Sequence, residues 1–231
     1  EHIIIQGETG VGKELVARLI HFSSSRKESP LLKFNCAAFN AEEIERELFG
    51  FNDLENTGIR KEGALLRAGQ GTLFIKAIDL MPMPAQLRLA HASKDCSSQS
   101  SMPRIIASSI KNPDVECSEG RLHRELLACF NAQMLRMPPL RNRSGDIAVL
   151  LKYFLKYFCE EYGQKEKAFE DEAFETLINY DWPGNVKELK NMVEKIVVSV
   201  PTKSITVNDL PQSLRKEMEN GADQQYLRYD T

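Results

Sequence analysis

The sequence predicts an α/β fold: a parallel five-stranded sheet with helices on both faces, followed by a small all-helical C-terminal subdomain. Three observations predict it. Short apolar, β-rich runs alternate with helical stretches as far as Pro138-Pro139. The first run, Ile3-Ile4-Ile5, passes straight into the glycine-rich segment Gly7-Glu8-Thr9-Gly10-Val11-Gly12-Lys13-Glu14. Beyond Pro138-Pro139 the apolar spacing becomes wholly helical.

Strands are expected at Ile3–Gln6, Leu32–Asn35, Leu73–Ile78, Arg104–Ser108 and Gln133–Met137. Helices are expected between them at Glu14–Ser23, Met83–Ala92 and Arg121–Asn131, and Glu42–Glu47 reads as a solvated helix face. Alternation of this kind places ligands at the carboxyl ends of the strands, where the loop after Ile5 lies. In the second part, Ile147, Leu150, Leu151, Phe154, Leu155 and Phe158 recur at helical spacing. Phe169–Asn179 and Val186–Val198 follow as helices, broken by Trp182-Pro183-Gly184-Asn185. The expected division is an α/β nucleotide-binding subdomain over 1–145, a helical lid over 146–212 and a linker over 213–231 toward an absent DNA-binding domain. Lys94–Met102, rich in Ser and Gln, reads as a surface loop.

The glycine-rich segment has a mechanism. Glycines let the backbone fold so that its N–H groups converge on an anion, and the following helix N-terminus adds partial positive charge. Lys13 then reaches the outer phosphates. Gly7, Glu8, Thr9, Gly10, Val11, Gly12, Lys13 and Glu14 are therefore the expected phosphate cradle. Glu14 stands where the common pattern has a Ser or Thr that ligates magnesium.

Composition bounds the rest. The chain has 231 residues, 42% hydrophobic and 27% charged, with a net charge of −3, which argues against nucleic-acid binding by charge alone. Cys36, Cys96, Cys117, Cys129 and Cys159 are odd in number and widely spaced, so no disulfide or metal framework is expected and a reducing, cytoplasmic setting fits. No apolar run approaches the ~20 residues of a membrane span. The opening directly on a strand suggests a piece of a longer protein.

Longer phrases carry a family resemblance. They are the phosphate loop, Phe34-Asn35-Cys36-Ala37-Ala38, Glu47-Leu48-Phe49-Gly50, Gly71-Thr72-Leu73-Phe74-Ile75, Met137-Pro138-Pro139-Leu140-Arg141-Asn142-Arg143, Asp146-Ile147 and Trp182-Pro183-Gly184-Asn185-Val186-Lys187-Glu188-Leu189. With them the chain resembles the central AAA+ domain of bacterial enhancer-binding transcription activators, the NtrC-like group. The resemblance implies a P-loop domain with a helical lid, a ring that hydrolyses ATP, and action on RNA polymerase carrying the alternative, nitrogen-type sigma factor. It also makes Glu14 ordinary.

Several positions depart from that pattern. The family's Asp-Glu after the third apolar strand is Lys76-Ala77 here, and its two trans-acting arginines fall on His123 and Cys129. Thr-Asn after the fourth strand becomes Ser109-Ile110, and the lid arginine becomes Lys187, still able to bind phosphate. Asp79 lies three residues past Lys76 and, by register, is expected to point elsewhere. Residues 51–60 replace the family's sigma-contacting hexapeptide. Together these imply a degenerate, non-enzymatic pseudo-ATPase, most similar to VpsR-type cyclic di-GMP-responsive biofilm regulators. Its expected ligand is ATP or cyclic di-GMP, with Arg18, Glu194 and Lys195 as cyclic di-GMP contacts, magnesium left open and no resident metal. Self-association from dimer to hexamer is expected, as are RNA polymerase and DNA through the full-length protein and no membrane. An active ATPase using replacement residues and a pure oligomerisation module remain the alternatives.

Overall fold

A computed structural model describes residues 1–53, 59–95, 102–130, 134–212 and 214–215. The predicted linker, 213–231, lies outside these residues apart from Leu214 and Arg215, and so does most of the predicted Ser/Gln-rich loop. The chain forms two compact units. One joins Glu1–Glu8 to Gly12–Met137, and the other joins Thr9–Val11 to the residues from Pro138 onward.

The first unit is built on a parallel sheet of β1 (Ile3–Gln6), β2 (Leu31–Asn35), β5 (Thr72–Lys76), β6 (Arg104–Ser109) and β7 (Met134–Arg136). The strand order is β2-β5-β6-β1-β7, which puts β1 and its loop between β6 and β7. Side chains alternate across this sheet as the strand period requires. Ile4, Leu73, Ile75, Ile105 and Ala107 enter the larger core. They meet Ile44 and Leu48 of α2 (Ala41–Phe49), Ala85 and Leu89 of α4 (Met83–Asp95) and Leu126 of α6 (Arg124–Cys129). Ile5, Phe74 and Ile106 point the other way, onto Ala17 of α1 (Lys13–Phe22).

Several boundaries differ from the sequence expectation, three of them with a clear physical cause. β5 stops at Lys76 and not Ile78, because Ala77 turns left-handed (φ 56°) and Ile78–Leu80 closes a 3-10 turn. Helix α6 starts at Arg124, not Arg121, since the Arg121 and Leu122 amides both donate to the Glu116 carbonyl and finish α5 (Pro113–Ser118) instead. The run from Phe169 splits: Ala168–Phe169 is strand β8, paired with β9 (Ser204–Ile205), and helix α8 occupies Asp171–Asn179.

The sequence reading did not anticipate an antiparallel ribbon of β3 (Gly50–Asp53) and β4 (Ile59–Glu62), nor the short helix α3 (Ala64–Arg67). The acidic stretch Glu42–Glu47 belongs to α2, entered through a capping box in which Asn40 and Glu43 exchange hydrogen bonds with each other's amides.

The second unit is helical. In α7 (Ser144–Glu161), Ile147, Leu151, Leu155 and Phe158 share one buried face. In α9 (Asn185–Ser199), Leu189, Met192, Val193, Ile196 and Val197 do the same. Trp182 is fully buried among them, and its indole N–H donates to the Leu177 carbonyl at 2.9 Å. Lys167 is buried too, with its ammonium donating to the Val200 and Thr202 carbonyls just past α9. Among the described residues no helix is long and apolar enough to cross a membrane.

Candidate functional site: a phosphate loop at the strand ends

β1 ends at Gln6, and α1 begins at Lys13 with Gly12 as its N-cap. Gly10 (φ +82°) and Gly12 (φ +102°) hold conformations that side-chain-bearing residues rarely adopt, so the loop between them requires glycine. The Lys13 ammonium donates to the carbonyls of Gly7 and Glu8, the latter at 2.8 Å. It is thereby folded onto the loop that would cradle a phosphate. Burial pulls the Lys13 pKa below the usual lysine value, and the nearby Asp79 carboxylate partly restores it. The Lys76 ammonium adds a smaller lowering effect. Lys13, Lys76 and Asp79 are thus electrostatic neighbours at one end of the sheet.

The loop's other residues fall elsewhere. Glu14 is paired with Lys33 of β2 at 2.7 Å. Thr9, Gly10 and Val11 belong to the helical unit. There the Asn185 side chain donates to the Thr9 carbonyl at 3.0 Å, and the Lys187 amide donates to the Gly10 carbonyl at 3.3 Å. Asn185 also accepts from the Leu140 amide at 2.7 Å, is fully buried, and sits at φ 54°. A Cβ on Gly10 would lie 2.1 Å from the Gly184 carbonyl oxygen, so contact between the loop and the Trp182–Asn185 turn requires this glycine as well. Sequence reading noted the Gly184-Asn185 break but not that it grips the loop.

Most of the departing positions have a local partner. The Ala77 amide donates to Ser108 Oγ at 3.3 Å, and Ser109 is buried with its hydroxyl donating to the Lys111 carbonyl. His123 caps α6: its amide donates to Gln86 Oε1 at 2.7 Å and its Nδ1 accepts from the Glu125 amide. The Cys129 thiol contacts the Glu125 carbonyl at 3.1 Å. Arg121 is not a free surface charge, because its guanidinium grips both oxygens of Glu116 at 2.6 and 2.8 Å. Lys76 is exposed at the end of β5.

Arg18 is exposed on α1 and lines a cavity of about 430 Å³ with Glu14, His21, Phe22, Lys33 and Phe74. Glu194 and Lys195 lie on α9 in the other unit, where Glu194 accepts from the Tyr162 hydroxyl at 2.7 Å. Most of the segment read as a lost sigma-contacting loop, 51–60, lies outside the residues whose side chains are described.

Three buried side-chain oxygens have no hydrogen-bond partner among the described residues: Gln6 Oε1 at the end of β1 and, on a second pair of strands, Asn35 Oδ1 at the end of β2 and Asp79 Oδ1 beyond β5. The strands pair in register at Asn35 and Lys76, so the latter two oxygens belong to neighbouring strand ends. Magnesium commonly accompanies nucleotide phosphates on such loops. Here the Glu14 carboxylate is taken by Lys33, the Lys76 ammonium repels a cation, and no cluster of three His, Cys, Asp or Glu exists among the described residues.

Comparison with known proteins settles the family. The model described as "Sigma-54 interaction domain" matches residues 1–136. The chain belongs to the sigma-54 interaction domain family. An "AAA+ ATPase lid domain" model matches residues 141–226. The transcriptional regulatory protein ZraR of Escherichia coli (strain K12) is 40% identical over 223 residues, covering 92% of this chain and 50% of that protein. A putative NtrX-like response regulator of Rickettsia typhi is 36% identical over 206 residues, covering 86% of this chain and 43% of that protein. The chain thus spans about half the length of these curated relatives. NtrX from Brucella abortus, solved with ADP, superposes with a TM-score of 0.83 at 30% identity over 94% of this chain and 50% of that one. The same protein solved with ATP gives 0.81, over 93% of this chain and 50% of that one. The fold is the α/β AAA+ P-loop fold with a five-stranded parallel sheet and a helical lid.

These matches correct the sequence expectation in one respect. The non-enzyme reading, a pseudo-ATPase inferred from Lys76, Ala77, His123, Cys129 and Ser109, is overturned: the chain carries an ATPase lid of this family, and its 30%-identical structural relative was solved with ATP bound. The VpsR-type, biofilm and cyclic di-GMP assignments gain no support from them.

Proposed function

We propose that this chain is the ATP-binding and ATP-hydrolysing central domain of a bacterial transcription regulator acting with the alternative, sigma-54-type RNA polymerase. The observation that carries the reading is the phosphate loop itself. It follows a central strand, is shaped by two left-handed glycines, and ends in Lys13 at the start of a ten-residue helix. Membership of the sigma-54 interaction domain family supports the partner, and NtrX solved with ADP and with ATP supports the ligand.

The chain's own residues divide the work. Loop amides from Gly7 to Glu14 and the α1 N-terminus would hold the phosphates. Lys13 would exchange its two loop carbonyls for phosphate oxygens, gaining charge-assisted bonds in place of neutral ones. Lys187 follows the Asn185 grip on the loop and would supply a further cation. Self-association, RNA polymerase and DNA, the last through parts of the protein outside this chain, are the partners this role calls for, in the cytoplasm. Cyclic di-GMP is not favoured: the solved relatives hold ATP and ADP.

Calorimetric titration tests the ligand. ATP is expected to bind the wild-type chain and to lose at least about tenfold in affinity, roughly 1.4 kcal/mol, in Lys13→Ala. Equal affinity in both, or heat with cyclic di-GMP alone, would refute it.

A further inference from the structure

We infer that Asp79 is the carboxylate that polarises the attacking water during ATP hydrolysis in this chain. The inference rests on the ATPase reading and deepens it by naming the group that prepares the nucleophile.

The backbone brings Asp79 to the site. β5 lies one strand from β6, which lies beside β1, whose end opens into the phosphate loop. A strand continuing past Lys76 would carry its side chains away from the loop. It does not continue. Ala77 adopts φ 56°, a conformation unfavourable for a residue with a Cβ, and the amide is held by Ser108 Oγ on β6. The 3-10 turn Ile78–Leu80 then folds the chain back, with Ile78 fully buried as its anchor. Backbone strain at a strand's carboxyl end thus places a carboxylate beside the loop.

Its surroundings suit the task. Asp79 Oδ1 is shielded from solvent and has no hydrogen-bond partner among the described residues. A buried carboxylate oxygen left unpaired is costly, and such an atom is normally matched by a water, a proton or a ligand. Asn35 Oδ1, at the adjacent strand end, is shielded and unpaired in the same way. A water donating a hydrogen to Asp79 Oδ1 would satisfy it. Asp79 interacts electrostatically with Lys13 of the loop, which in turn feels Lys76 of β5 and Glu8, and the Cys36 thiol faces Asp79 from the turn after β2. That thiol is pushed up to about 12, first by burial and then by Asp79, so it stays neutral. The ammonium groups would offset phosphate charge, a role in which positioning and electrostatics dominate.

The step balances as follows. The water oxygen forms a bond to the γ-phosphorus as the bond from that phosphorus to the β–γ bridging oxygen breaks. The electron pair of the broken bond stays on ADP. One water proton passes to Asp79 and then to the released phosphate, and nothing is oxidised or reduced.

The test compares the whole chain with Asp79→Asn and Asp79→Glu by phosphate release across pH and by ATP titration. Asp79→Asn is expected to lower kcat by about 10²–10⁴-fold, the range for a general base. ATP affinity should stay within about threefold, because the loop amides and the Lys13 side chain that would hold the phosphates are retained. The variant should lose the acidic limb of the pH profile, and Asp79→Glu should restore part of the rate with that limb shifted. A merely structural Asp79 would not move the limb. If Asp79→Asn hydrolyses ATP like wild type, or keeps the limb, the inference is overturned while the ATPase reading stands. If wild type binds ATP but releases no phosphate, the ATPase reading fails and this inference fails with it.

Discussion

Replacing Asn185 with Ala removes the grip of the lid on the phosphate loop, and its cost can be worked from the geometry. Asn185 accepts from the Leu140 amide at 2.7 Å and donates to the Thr9 carbonyl at 3.0 Å. Leu140 is fully buried, so its orphaned N–H costs about 1–3 kcal/mol. The Thr9 carbonyl belongs to an exposed residue and is partly rehydrated, which holds its loss to about 0.5–1 kcal/mol. Asn185 also sits at φ 54°, where Asn is tolerated and Ala costs about 1 kcal/mol more. The sum is about 2.5–5 kcal/mol, or roughly 5–20 °C in melting temperature for a chain of this size. The sole tryptophan, Trp182, lies buried in the same unit, so its fluorescence during urea unfolding reports on the transition that matters. Asn185→Gly separates the contributions: it keeps the left-handed backbone and loses only the hydrogen bonds, so it should be about 1 kcal/mol more stable than Asn185→Ala. A loss under about 1 kcal/mol in Asn185→Ala, below the cost of one buried orphan, would refute the tether.

Three other outcomes are expected. Gly10→Ala places a Cβ 2.1 Å from the Gly184 carbonyl at φ +82°, so it should destabilise the lid by more than about 2 kcal/mol on denaturant unfolding. Trp182→Ala empties the centre of the helical core and breaks the bond to the Leu177 carbonyl, at a cost of about 3–5 kcal/mol by circular dichroism. The Arg121 guanidinium hydrogen-bonded to Glu116, with burial opposing it and Lys111 adding attraction, holds that carboxyl below the usual glutamate value. A lowered carboxylate contributes stability above its unfolded pKa and loses it as pH falls through the folded value. The melting-temperature gap between wild type and Glu116→Gln should therefore be full near neutrality and close in acid; a gap that widens in acid would contradict the pairing.

Much of the fold is legible in the sequence because its signals are local. The strand β1, the glycine loop and α1 follow from one apolar run and its punctuation, and Ile147 to Phe158 announce α7 by spacing alone. What escaped depends on tertiary contacts. The end of β5 is set by Ser108 holding a left-handed Ala77, which no propensity for alanine foretells. The ribbon β3–β4 pairs polar residues with weak alternation, Asn52 opposite Arg60 and Phe51 opposite Lys61. At the site, Lys13 and the loop follow from local sequence, whereas the turn that carries Asp79 does not, because it depends on the left-handed Ala77. The non-enzyme reading erred because it weighed Lys76, Ala77, His123 and Cys129 one by one, whereas the matches over the whole chain are to the sigma-54 interaction domain and an AAA+ ATPase lid domain.

Phosphate release from ATP is the most direct test of the central claim, measured in the steady state over a range of protein concentrations with Lys13→Ala as the control. Turnover on the order of 1 s⁻¹, rising per molecule with protein concentration and absent in Lys13→Ala, is the predicted result. Release indistinguishable from the Lys13→Ala control at every concentration would contradict it.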